Sequence, residues 1–434
     1  MSVTLPCADT TRWTHVCDIL RSWLSSGVTR VSDLDTIINT LTPKDATCLP
    51  CKFFHTTFNA GEGSDQFMSC FDLGGFLIFG VPFMLRVALE APTLFPTSTL
   101  PLLAQGGSYA SVELSRRQCA CLLALSALGV FQGRSEGKER YRLRVHQLFC
   151  MNATPSALCF MNYFRVVARD EKLLEGSVTY VRRKMAEGDD VPLAHSKQPL
   201  CPVAFISEPA QRIECDTTAE LHVDFSNMQI GGGVLTGDFG QEEILFCAKP
   251  ELAVAIAFTT LLRDEEVLVI DGARMYSTVS GLRSEFRFEG DVMTQLTSPP
   301  PRVVALDALD LRVGLKPRQF EIPFVRRDIR KAWLGLQGCS GSVLATGHWG
   351  CGSFGHDHFL KFLQQWLAAS AAGGITEIRY YTMGDTKGEG VERLLEKFQF
   401  LSVGDLWTKV EIACAGIPPS LQAPKVFREK IMLC

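Results

Sequence analysis

Apolar residues recur at helical spacing through the first part of the chain. In DTTRWTHVCDILRSWLSS, Trp13, Val16, Leu20, Trp23 and Leu24 fall on one face and predict an amphipathic helix over residues 9–26. ELSRRQCACLLALSALGVF sets Ser115 and Gln118 as a capping box ahead of an apolar run. ALCFMNYFRVVARDEK reads as another helix. The longest apolar run, LGGFLIFGVPFML at 73–85, has 13 residues between Asp72 and Arg86. That is too short to span a bilayer and predicts a buried helix. The pattern is that of a helical scaffold, and no catalytic constellation shows in it.

MAEGDDVPLAHSKQP, residues 185–199, is polar and broken by glycine and proline, as a surface loop or boundary would be. Beyond it the pattern changes. CPVAFIS, LHVDFSN, EEVLVIDG, RVVALDAL, SVLATG and EIRYYTMGD predict strands, while QEEILFCAKPELAV, PELAVAIAFTTLLRDEE and DHFLKFLQQWLAASAA predict helices. Strands alternating with helices imply an α/β layer with a largely parallel or mixed sheet flanked by helices. Such sheets bind ligands in loops at the C-terminal ends of their strands. The expected division is an all-helical accessory region, residues 1–195, and an α/β domain, residues 196–434.

Composition narrows the class. With 434 residues, 46% hydrophobic and 21% charged, the chain buries a large core and is not globally disordered. A net charge of −4 argues against a broad basic face for nucleic acid, so a polyanionic ligand has to be held by local loops. The sixteen cysteines are scattered, and only Cys48-Leu-Pro-Cys51 has C-x-x-C spacing. No second pair stands at zinc-ribbon distance and no signal peptide opens the chain, which predicts free thiols in a reducing intracellular compartment and no secretion. The sequon Asn152-Ala-Thr154 is then without use.

Three strand ends carry unusual residues. LHVDFSNMQIGGG leaves one through Asp224 and Asn227 into Gly231, Gly232 and Gly233. SVLATGHWGCGSFG leaves another through Gly347, Gly350, Gly352 and Gly355 and runs into a helix, and YYTMGD ends a third at Gly384 and Asp385. Glycine-rich loops of this kind offer backbone N–H groups and a helix N-terminus, which suit a phosphate or pyrophosphate. They match neither G-x-G-x-x-G nor the Walker pattern. Seven residues after the glycine run come Gln241, Glu242 and Glu243. The bland reading is a solvated acidic pair at a helix start. The functional one is a general acid and base acting on a glycosidic bond, since close carboxylates push one pKa upward. His348, Cys351, His356 and His358 could instead supply zinc ligands, but glycines lie among them and no second cysteine pair supports the set.

GGG, the seven-residue spacer and QEE resemble the signature of the poly(ADP-ribose) glycohydrolases. VDFSN is similar to that family's VDFAN, and ATGHWGCGSFGHD to its ATGNWGCGAFGGD. FLIFGVPFMLRVALEAP with QCACLLALSALGVF resembles its helical accessory domain, and MNYFRVVAR the segment leading to its catalytic domain; the likeness covers about residues 70 to 410. The resemblance implies a macrodomain-like α/β fold and an exo-acting glycosidase that cuts ribose–ribose O-glycosidic bonds of poly(ADP-ribose) and releases ADP-ribose. It implies Glu243 as acid/base, Glu242 as the residue orienting the ribose, and Asp224 as the assisting acid. Asn227, Gln241 and the glycines 231–233 match substrate-binding positions, and Ile213 and Glu214 the adenine contacts. His348, Trp349, Gly350, Cys351, Gly352, Ser353, Phe354 and Gly355 match the loop wrapping the diphosphate.

Three positions depart from the family. Leu282 stands for an adenine-clasping tyrosine, His348 for an asparagine, and Met383 for a phenylalanine. The reading needs no metal and no cofactor. Its partners are poly(ADP-ribose) and poly(ADP-ribosyl)ated proteins, with no direct DNA binding, no membrane and a monomer expected. A nuclear or cytoplasmic home and a part in the DNA damage response are implied by the substrate, not by the chain. The alternatives are a macrodomain reader that binds ADP-ribose without cleaving it, and a hydrolase of mono-ADP-ribosyl groups.

Overall fold

A computed structural model describes residues 2–42, 70–107, 110–131, 133, 142–149, 154–292, 299–420 and 422–434; Cys48, Cys51 and Asn152 lie outside them. The chain forms two compact units from six alternating segments. The first comprises Met1–Val181, Gln229–Leu261 and Ile270–Pro300, the second Arg182–Met228, Leu262–Val269 and Pro301–Cys434.

In the first unit the helix Thr10–Ser26 starts where Asp9 accepts from the Arg12 N–H, and it buries Trp13, Val16, Cys17 and Leu20. The capping box forms as expected. Ser115 Oγ accepts from Gln118 N at 3.1 Å, and Gln118 Oε1 from Ser115 N at 2.8 Å. The helix it opens, Arg116–Ala127, is buried along its length. The apolar run at 73–85 is not one helix but a turn at Leu73–Gly75, a π-turn at Phe76–Gly80 and a helix Val81–Leu89. Pro82 has no N–H to give and sits just past the widened turn, which accommodates the lost bond. Strands join the helices here. Ser111–Ser115 pairs antiparallel with Ser177–Lys184, Ser2–Thr4 with Thr99–Pro101, and Ser277–Ser280 with Arg287–Asp291.

The expected helix over 250–266 shrinks to a 3-10 turn, Pro250–Ala257, and QEEILFCAKPELAV breaks after the helix Gln241–Ala248. Pro250 pushes Lys249 out of the helical region, to φ −122° and ψ 73°. Glu251 then turns inward. Its carboxylate meets Arg116 at 2.5 Å, the Tyr276 hydroxyl at 2.8 Å and the Arg274 N–H at 2.9 Å. A buried charge satisfied by three donors fixes this turn more firmly than helix propensity fixes a helix.

In the second unit five strands stand side by side, all parallel: Arg302–Ala305, Leu221–Asp224, Ser342–Gly347, Ile375–Tyr381 and Val203–Ile206. Being parallel, they end on one edge, which brings Asp224, Gly347 and Tyr381 to the same side of the sheet. The helices Ile322–Leu336 and His358–Ala372 pack on each other. The second is buried nearly all round, its polar His358, Lys361, Gln364, Gln365 and Ser370 included. The strand Glu266–Asp271 also forms, and two helices, Val403–Cys414 and Ala423–Leu433, follow toward the C-terminus. The α/β expectation holds. Among the described residues no helix is long and apolar enough to cross a membrane, and the described cysteines are free thiols.

Candidate active site

The glycine run and the two glutamates are one construction in the first unit. The helix Gln241–Ala248 opens at Gly240, placing Glu242 and Glu243 in its first turn, where the helix dipole favours negative charge. Gly231 donates its N–H to Glu242 Oε1 at 2.7 Å, and Gly233 donates to Glu243 Oε1 at 2.9 Å. Gly231 and Gly232 take the left-handed conformation, φ +86° and +48°. A Cβ on Gly232 would lie 2.4 Å from Glu243 Oε1 and 2.6 Å from Glu242 Oε2; one on Gly240 would lie 2.7 Å from Glu243 Oε2. The glycines are there because the carboxylates need the space of a side chain.

The two glutamates differ. Glu242 is buried, while Glu243 keeps some exposure. Burial pushes the Glu243 pKa up, and the charge of Asp238 adds to this; the N–H groups of Gly233 and Gly240 and its own oppose it. A glutamic acid so placed holds its proton nearer to neutral pH than a solvated one. The helix packs on Thr154–Arg169 and on the strand Ser277–Ser280, with Cys247 Sγ donating to Ser156 Oγ at 3.2 Å. Leu282 follows that strand. Arg283 N donates to Phe239 O at 2.9 Å, and Phe239 and Phe286 pack with centroids 5.0 Å apart, tying the segment to the loop ahead of Gln241. So the first unit gathers Gly231, Gly232, Gly233, Gln241, Glu242, Glu243 and Leu282.

The other expected site residues lie in the second unit, at or near the C-terminal ends of the parallel strands. Asp224 closes Leu221–Asp224 and is fully buried; its carbonyl accepts from Leu306 N at 3.1 Å. Asn227 follows three residues on, and the short turn holding Ile213 and Glu214, both buried, precedes the strand. Beyond Gly347, Trp349 is fully buried, donates Nε1–H to Leu306 O at 2.9 Å, and has Lys361 Nζ 3.8 Å above its ring. Lys361 and Asp328 form a buried ion pair, and Arg327 reaches the same aspartate at 2.8 Å. Burial pulls the Lys361 pKa down against that pairing.

Gly350 and Gly355 are left-handed at φ +75° and +76°, and a Cβ on Gly350 would meet Ala308 Cβ at 2.6 Å. Phe354 lies under the Arg312 guanidinium at 4.8 Å. Gly352 and Ser353 complete the turn between them. Met383, marked in the sequence only by its departure from the family pattern, is backbone-strained. It holds φ +52°, in a region that L-residues rarely adopt.

Of the four residues considered for zinc, three come together. Donor atoms of His348, Cys351 and His358 all lie within 4.8 Å of one another. His356 stands apart from that set, its Nε2 2.6 Å from Leu309 O. The trio has two further neighbours: Tyr380, which the sequence did not mark and whose hydroxyl is 3.2 Å from His348 Nδ1, and Asp385, marked there only as a strand end and 3.4 Å from His358 Nε2. The YYTMGD strand end is the signal that could have found both.

Comparison with known proteins finds one family. The family model described as poly(ADP-ribose) glycohydrolase, Macro domain fold, matches residues 192–389, and the one described as the helical domain of the same enzyme matches residues 73–182. Poly(ADP-ribose) glycohydrolase 1 of Arabidopsis thaliana is 28% identical over 384 residues, covering 68% of each chain. Probable poly(ADP-ribose) glycohydrolase 2 of the same plant is 29% identical over 266 residues, and the match spans half of its length and half of this chain. The solved structure of poly(ADP-ribose) glycohydrolase from Deinococcus radiodurans in complex with ADP-ribose is 18% identical, covers 48% of this chain and 89% of that one, and has a TM-score of 0.32.

Proposed function

The chain belongs to the poly(ADP-ribose) glycohydrolase family, and from that premise we propose that it hydrolyses ribose–ribose O-glycosidic bonds of poly(ADP-ribose), working from chain ends and releasing ADP-ribose. The observation that carries the reading is the pair of glutamates held by the N–H groups of Gly231 and Gly233. Glu243, whose pKa burial raises, gives its proton to the leaving ribose oxygen as the glycosidic bond breaks. The resulting carboxylate takes a proton from water, whose oxygen bonds to the anomeric carbon, and the acid is restored. Positive charge develops on the ribose ring, and the carboxylates stabilise it.

The remaining roles follow the family pattern residue by residue. Glu242 orients the ribose and Asp224 assists. Gln241, Asn227 and the glycines 231–233 hold substrate, Ile213 and Glu214 the adenine, and residues 348–355 the diphosphate. Leu282 covers the base by apolar contact, and Met383 stands at the family's phenylalanine position. In this division residues 1–195 are the accessory region and 196–434 carry these residues. The protein acts as a monomer on the free polymer and on proteins that bear it, without binding DNA; the net charge of −4 supports that last point. It serves the DNA damage response, in the nucleus or in the cytoplasm.

The test is incubation of the purified protein with poly(ADP-ribose), beside Glu243→Gln. ADP-ribose should appear with the wild type and not with the variant, while the variant still binds ADP-ribose. Wild-type binding without release would make the protein a reader instead. Efficient removal of the last, protein-linked unit would place it among the mono-ADP-ribosyl hydrolases.

A further inference from the structure

His348 stands at the head of the glycine loop, and the fold closes Cys351 and His358 around it. We propose that His348, Cys351 and His358 form a zinc site that fastens the glycine loop 348–358, a property that goes beyond the proposed glycosidase reading and is judged separately from it. The three ligands leave three different places in the second unit: the residue after the strand Ser342–Gly347, the turn of the loop, and the first residue of the helix His358–Ala372. Their donor atoms all lie within 4.8 Å of one another. A tetrahedral zinc sets N and S donors roughly 3.3–3.8 Å apart, so rotamer adjustment closes the set without moving the backbone elements.

The surroundings suit a dication. Tyr380 OH stands 3.2 Å from His348 Nδ1, and the opposite nitrogen, Nε2, is buried with no hydrogen-bond partner among the described residues. A proton on Nδ1 directed at the tyrosine oxygen leaves the Nε2 lone pair for a metal, the usual service of an outer-shell partner. The imidazoles of His348 and His358 cross edge to face, centroids 4.6 Å apart. Burial, then the neighbouring His358, brings the His348 pKa down to about 4, and burial lowers that of His358. Gly388 is part of the fit, since a Cβ there would lie 2.6 Å from His348 Cε1.

Burial also raises the Cys351 pKa, which keeps the metal-free thiol protonated. Zinc binding displaces that proton to solvent and leaves a zinc–thiolate bond. Thiolate and dication sum to one positive charge, and the Asp385 carboxylate, 3.4 Å from His358 Nε2, offsets it. Two imidazoles and a thiolate favour zinc over magnesium or calcium, which prefer oxygen.

The experiment uses the full chain, stripped with chelator, then titrated with zinc against a chromophoric chelator and, separately, with cobalt(II). The wild type should bind one zinc and show a thiolate-to-cobalt charge-transfer band. Cys351→Ser should lose the band, and His348→Asn should weaken zinc affinity by more than about 100-fold, whereas Tyr380→Phe should weaken it about 10-fold. His356→Ala should bind as the wild type does. A wild type without the band, or affinities equal across all four variants, would overturn the site and leave the two histidines as a packing pair. Because the cobalt spectrum is read on the wild type, the presence or absence of the site is decided without any variant having to fold, and without ADP-ribose release.

Discussion

Replacing Gly232 by alanine tests the reasoning about the carboxylates most directly. The residue sits at φ +48°, where an L-side chain costs ~1–2 kcal/mol. That strain alone would lower the melting temperature and leave catalysis intact. The steric effect is different in kind. The new Cβ would lie 2.4 Å from Glu243 Oε1 and 2.6 Å from Glu242 Oε2, far inside van der Waals contact. Both carboxylates are tied to neighbouring N–H groups, so relieving the clash moves the proposed acid/base. A displacement of ~1 Å at a reacting group costs ~100-fold in rate, equivalent to ~2.7 kcal/mol of barrier. Initial rates of ADP-ribose release at saturating polymer, with thermal midpoints measured in parallel, separate the two effects. Gly188→Ala is the control: φ is +88° but no atom lies within 4 Å of the added methyl, so it should lose stability and keep its rate. If Gly232→Ala turned over like the wild type, the carboxylates would not be positioned by that glycine and the account would fail.

The raised Glu243 pKa carries a sign. In the proposed mechanism the protonated acid is the working form, so activity should fall on the alkaline side at a pH above that of an ordinary glutamate. Asp238→Asn removes a charge that raises this pKa and should shift the alkaline limb of the pH–rate profile downward; an unmoved limb would refute the coupling. The same sign governs stability, because a raised folded pKa contributes stability below the unfolded value that is lost as pH rises through the folded one. Lys361→Met strips buried Asp328 of one of its cations and should cost ~3–5 kcal/mol in denaturant unfolding; a loss under a third of that would mean the pair is solvent-relaxed. Leu282→Tyr gives the adenine an aromatic face and should tighten ADP-ribose binding by ~0.5–1.5 kcal/mol in calorimetry. Unchanged affinity would separate position 282 from the base.

The parts of the molecule that are legible in sequence are those governed by local rules. The capping box at Ser115 and the six strands after residue 200 appear where alternation and cap chemistry put them. The GGG–QEE relation is legible as a motif, but its cause, two N–H groups seated on two carboxylates, needs coordinates. Other features are set by partners distant in sequence. The chain after Pro250 reads as helical because its apolar residues are dense, and it is instead shaped by Glu251 turning to Arg116, 135 residues away. Ser111–Ser115 and Ser177–Lys184 do alternate in burial, yet they are short and lie among helices, so pattern alone does not mark them as strands. The histidine cluster depends on Tyr380 and Asp385, which no spacing rule connects to position 348.

The interleaving of the two units has a consequence for how the protein is made. The first unit's N-terminal stretch ends at Val181, but its last segment ends at Pro300, after two excursions into the second. A ribosome adding 5–20 residues per second takes about 6–24 s to cover that interval. For about the first half of it the helix Thr154–Arg169 awaits Gln241–Ala248, with which it packs in the finished chain. The glutamates therefore arrive on the second of that unit's three segments, and a nascent chain stalled before residue 240 displays the apolar face of Thr154–Arg169 to chaperones while it still lacks them.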